Sequence, residues 1–141
     1  MKVSNNFTLQ EFVSESVYVK FGNNSIWFID QKIINIAQLF RTIVDKSVTI
    51  NNWHNKGSFN ESGLRDFSTS TGVSFSQHKF GRAVDLKVDG MTGDQMRKIV
   101  IDNKIAFLQI GLTTIEDKTP TWLHCDCRNT GLKDLLIVPF K

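Results

Sequence analysis

A chain of 141 residues can bury roughly two thirds of its unfolded surface in one ordinary core, so one domain spanning 1–141 is expected, with no disulfide scaffold to hold it. Apolar content of 40% against 22% charged residues excludes a disordered chain. The net charge of +3 is spread along the sequence with no Lys/Arg block, which argues against nucleic acid as a partner and suits, without requiring, an anionic polymer.

The opening Met1-Lys2-Val3-Ser4-Asn5-Asn6 lacks the apolar core of a secretory signal, and no run approaches the ~20 apolar residues of a membrane span. The chain is therefore expected to be made in the cytoplasm and to leave it, if at all, by a route not written here. From Asp30 to Lys46, Ile33, Ile36, Ala37, Phe40, Ile43 and Val44 recur at helical spacing and predict one amphipathic helix. Ser47 to Trp53 reads as a strand. His54 to Ser76, rich in Gly, Ser, Thr and Asn, reads as a long loop, and a loop of that length in a small domain is often functional.

Ala83 to Val88 alternates and predicts a strand. Thr92 and Gln95 have the spacing of a capping box, with Met96, Ile99 and Val100 on one face of the short helix that follows. Ile105 to Ile115 reads as a strand region broken at Gly111. Thr121 to Arg128 predicts a further strand, and period two sorts its side chains. Leu123, Cys125 and Cys127 fall on one face, Trp122, His124, Asp126 and Arg128 on the other. Three ionisable groups on one strand face suit the lining of a site better than a core. A bridge between the two cysteines, two residues apart on one face, would be strained, so they read as small buried apolar residues. The pattern predicts an α+β fold, a small, mainly antiparallel sheet with flanking helices.

The densest cluster of chemistry is Ser76-Gln77-His78-Lys79-Phe80-Gly81-Arg82-Ala83-Val84-Asp85. His78 sits on a loop, Gly81 permits a tight turn, and Asp85 lies on the strand that follows. With His124 from the later strand, two imidazoles and one carboxylate make a three-ligand zinc set that leaves a fourth position open. Taken singly, each has a plainer reading: a lone histidine is most often structural or exposed, and a strand aspartate is often just hydrogen-bonded. His54 reads as a surface residue at a strand end, Trp122 as a wall, and Gln77 stays open.

The segment S-x-H-x-x-G-x-A-x-D, carried by Ser76, His78, Gly81, Ala83 and Asp85, closely resembles the signature of the M15 peptidases. These are zinc D,D-carboxypeptidases and L-alanyl-D-glutamate endopeptidases of peptidoglycan, whose zinc-binding fold is shared with the hedgehog signalling domain. Trp122, His124, Asp126 and Arg128 resemble the family's W-x-H-x-D-x-R segment. Ser62-Gly63-Leu64-Arg65 resembles its S-G-x-R segment, and Phe7 to Phe12 resembles the opening of its phage and bacterial branch. The resemblance implies zinc held by His78, Asp85 and His124, and Arg65 on a substrate carboxylate or the developing oxyanion. Arg65 has a structural ion pair as its alternative.

Family members often carry the general base three positions before the last histidine, where this chain has Thr121. Other branches place it farther upstream, which nominates Glu116 first and Asp117 second. Asp126 would orient His124 or a bound group. The implied function is a monomeric zinc peptidase acting on peptidoglycan at the bacterial cell wall, of the phage endolysin or tail-associated lysin kind. A non-catalytic zinc-containing binding module and a virion structural protein of the same fold stand as alternatives.

Overall fold

The computed structural model describes all residues from Met1 to Lys141. A 3-10 turn, Leu9–Phe12, opens it, with the Glu11 carboxylate accepting from the Thr8 backbone N–H at 2.8 Å. Ser14 caps α1 (Glu15–Phe21), its hydroxyl accepting from Val17. A second 3-10 segment, Gly22–Phe28, leads to α2 (Gln31–Val44), which starts where the Asp30 side chain accepts from Lys32 and stops at Asp45 in the left-handed region. The predicted apolar stripe is its buried face: Ile33, Ile36, Ala37 and Phe40 are all within 1% of full burial. Each such side chain contributes about 1.5–3 kcal/mol by leaving water.

The fold is α+β. Strands β1 (Ala83–Leu86), β2 (Thr114–Glu116), β3 (Leu123–Asp126) and β4 (Leu136–Val138) form one sheet in the order β1-β3-β2-β4. The β1–β3 and β3–β2 pairs are antiparallel and β2–β4 is parallel. Between β1 and β2 come α3 (Gly93–Asp102), capped by Thr92 and Gln95 as the spacing predicts, and α4 (Lys104–Gln109). Helix α2 packs on β1 and β3. Val84, Leu86, Ile115, Leu123 and Cys125 give one sheet face to the main core, with Phe7, Phe12 and Phe40. Both cysteines are buried and free. No helix is long and apolar enough to cross a membrane.

Two predicted strands are not formed. Ser47 to Trp53 keeps only one bridge, Thr49 to Lys87, before a 3-10 turn at Trp53–Asn55. Val48 and Ile50 do enter the core. The Asn51 side chain, however, donates to the Val13 carbonyl and accepts from the Ser62 N–H, tying this segment to distant backbone groups in place of a sheet neighbour. Ile105 to Ile115 is divided: α4 takes its first part, Gly111 turns the chain at φ 109°, and only Thr114–Glu116 pairs. A short apolar run does not distinguish helix from strand.

Candidate metal centre

His78 lies in a 3-10 turn, Gln77–Phe80, that the dense motif builds residue by residue. The Ser76 hydroxyl accepts from the His78 N–H and Gly81 ends the turn at φ 68°. A Cβ at Gly81 would stand 1.7 Å from the Phe28 carbonyl oxygen, so glycine is demanded twice, by conformation and by space. Ala83 follows, buried against the sheet. The His78 ring is fixed from behind: Nδ1 lies 2.9 Å from the Gly63 carbonyl oxygen. That oxygen can only accept, so Nδ1 carries the proton and Nε2 presents its lone pair forward.

The sheet supplies the remaining donors by register. Asp85 on β1 stands directly opposite His124 on β3, so both side chains leave the same face. The pairs Thr114–Asp126 and Ile115–Cys125 align β2 with β3. One further step brings Glu116 beside His124, and its Oε1 lies 3.6 Å from His124 Nδ1. Asp85 Oδ1 is 2.9 Å from His124 Nδ1 and 3.3 Å from His78 Nε2. The donor atoms of His78, Asp85 and His124 all fall within 4.8 Å of one another. Tetrahedral zinc, with bonds of about 2.0–2.2 Å, separates neighbouring donors by about 3.3 Å. The chemistry and spacing of this buried set therefore fit a metal ion.

The electrostatics agree. Burial opposes charge on Asp85, yet the two histidines hold its carboxyl well below the usual range. Burial drives His78 down, keeping it neutral and able to ligate. Burial also opposes charge on His124, but hydrogen bonds to Asp126 and Asp85 outweigh it and raise the imidazole to about 10. Without metal, then, a proton on His124 stands between two carboxylates where a cation would stand.

Asp126 is fully buried. It accepts from His124 Nε2 at 2.9 Å and from Arg128 Nε and Nη2 at 2.8 and 2.5 Å. Burial would raise its pKa, and these partners bring it down instead. Turned by Asp126 in this way, His124 offers Nδ1 to the centre, the carboxylate–histidine arrangement common behind metal ligands.

Arg65 reaches the same place. Its Nη2 lies 3.6 Å from Asp85 Oδ2, and its Nε donates to the Glu61 carbonyl at 2.6 Å. A cleft of about 620 Å³ is lined by Arg65, His78, Asp85, Glu116, Trp122, His124 and Arg128, with Val138 to Lys141 forming one rim. Asp117 is not in it; its carboxylate accepts from the Phe140 N–H. Thr121 is exposed. His54 packs edge-on against Trp53 and, like Gln77, does not line the cleft, whereas Trp122 is a wall.

Sequence reasoning missed three contributors. Gly63 offers only a backbone oxygen, which no side-chain pattern reveals. Arg97, buried in α3, donates to the Thr119 carbonyl at 3.2 Å and to the Thr119 hydroxyl, bracing the turn after Glu116. Lys87 was legible: it falls two residues after Asp85, hence on the same strand face. Burial pulls it down to about 8.

The chain matches no protein-family model, no curated protein and no solved structure.

Proposed function

We propose that this protein is a zinc-dependent peptidase that cleaves peptide bonds in bacterial peptidoglycan, in stem peptides or their cross-links. One observation carries the reading. An acid, Glu116, and a guanidinium, Arg65, converge on the His78–Asp85–His124 set at the floor of one cleft. The motif resemblance to the M15 peptidases supports it, and so does the donor set, which keeps a fourth position open as catalytic zinc sites do.

Bound zinc would polarise the scissile carbonyl and acidify water to a pKa of about 7. Glu116 accepts the proton of the attacking water and passes it to the leaving amine. Its carboxylate lies beside the donor set and is bonded to no other side chain that would hold it away. Arg65 stands on the Asp85 side, where its planar fork stabilises the charge developing on the carbonyl oxygen. Asp126 acts through His124 as a positioning residue. Trp122 walls the cleft beside them.

The test is incubation of the purified, zinc-loaded protein with peptidoglycan, with and without chelator. Release of new amino termini that chelator abolishes is the expected result. One equivalent of zinc bound without cleavage would favour the non-catalytic binding module.

A further inference from the structure

Lys87 leaves the end of the β1 segment on the same face as Asp85. Its ammonium donates to the Ser62 hydroxyl at 2.8 Å and to the Asp85 backbone carbonyl at 3.2 Å, and it lies 4.4 Å over the Phe59 ring. An ammonium has three N–H donors; two are bonded to oxygen, and the third has only the Phe59 ring beside it. The Asp85 carboxylate is turned away toward Arg65, His78 and His124, and every partner of Lys87 is neutral. A half-buried cation without an anion costs free energy.

The hollow this cation faces holds about 420 Å³ and is lined also by Arg65, Asp85 and Trp122. Those same three residues line the metal cleft, so the two spaces are arms of one groove. The remaining acid of this arm, Glu61, is engaged by the Thr69 hydroxyl at 2.7 Å. With Asp85 paired to Arg65 and committed to the donor set, Lys87 is the cation of this arm that makes no ion pair.

Resting on the peptidase reading, we propose that Lys87 seats a free carboxylate of the substrate peptide beside the scissile bond. The preferred substrate is then an acidic peptide whose carboxylate is not amidated. Lys87 is a specificity residue here, and the carboxylate it meets completes its third donor.

The probes are a synthetic stem peptide with free carboxylates and two relatives, one with the D-glutamyl α-carboxylate and one with the C-terminal carboxylate converted to carboxamide. Binding to the zinc-loaded full chain is measured by calorimetry at pH 7, and cleavage is followed separately. One of the two amidations is expected to weaken wild-type binding about tenfold or more, the scale of a charge-assisted hydrogen bond. In Lys87→Met that penalty is expected to fall below twofold. Lys87→Gln, which keeps a donor for Ser62, is expected to behave like Lys87→Met, whereas a merely structural lysine would leave the discrimination intact in both. Wild type indifferent to both amidations, or variants with the wild-type penalty, would overturn the assignment. Discrimination in binding without cleavage of any peptide would remove the peptidase reading and leave the carboxylate seat standing.

Discussion

Replacing Asp126 by Asn keeps the shape of a side chain that is fully buried and removes its charge. The carboxylate now serves four donors: His124 Nε2, Arg128 Nε, Arg128 Nη2 and the Arg128 backbone N–H. An amide offers one oxygen, and its NH₂ must then face a donor of His124 or of Arg128. Breaking a buried charge pair from one side costs about 3–5 kcal/mol, which at this chain length lowers the metal-free Tm by roughly 10 °C or more. The metal should feel it as well, because the carboxylate sets the tautomer and basicity of His124; loss of such a partner typically costs about 10- to 100-fold in affinity. Both are measurable, the first by thermal unfolding of the chelator-treated protein and the second by competition with a chromophoric zinc chelator. Zinc affinity within twofold of wild type would show that Asp126 does not orient a ligand.

Zinc must displace the proton from His124 Nδ1, since that imidazole is raised to about 10 in the metal-free protein while His78 is already neutral. Zinc affinity should therefore climb about tenfold per pH unit between pH 6 and 9. The stability His124 lends the metal-free fold runs the other way: present in full below its unfolded value near 6.5, it is lost as pH rises toward 10. Competition titrations at three pH values and chemical denaturation without metal check the pair of slopes; pH-independent affinity would contradict them. Gly81→Ala combines a positive φ with a Cβ 1.7 Å from a backbone oxygen, so it should cost about 2–5 kcal/mol and take zinc binding with it. A shift in denaturation midpoint worth less than 1 kcal/mol would mean that the His78 turn is not held as described.

What could be read from the sequence divides by the range of the interaction. Helix α2, the Thr92 cap of α3 and the two faces of β3 are written in local periodicity and capping chemistry, and the structure repeats them. The motif from Ser76 to Asp85 was legible because each residue has a local job: a cap, a ring, a left-handed turn, a small neighbour. The identity of the acid beside the donors was only a nomination, since Glu116 ends the three-residue strand β2 and Asp117 is the next position. Register settles which of them faces His124, and register is fixed by long-range pairing. The strand expected at Ser47 to Trp53 was lost to Asn51, whose side chain bonds Val13 and Ser62 across the fold. The helix α4 was hidden by an apolar run that serves either structure. Arg97 and Gly63 act through backbone carbonyls distant in sequence, which no one-dimensional pattern encodes.

Zinc content and peptidoglycan cleavage measured together on Glu116→Gln test the proposed chemistry most directly. The variant keeps the side chain's size beside His124 and removes its ability to take a proton. The expected result is one equivalent of zinc still bound and a fall in cleavage rate of at least about 10²-fold, the low end for a general base. Cleavage near the wild-type rate at full zinc occupancy would contradict the role given to Glu116, and with it the observation on which the peptidase reading stands.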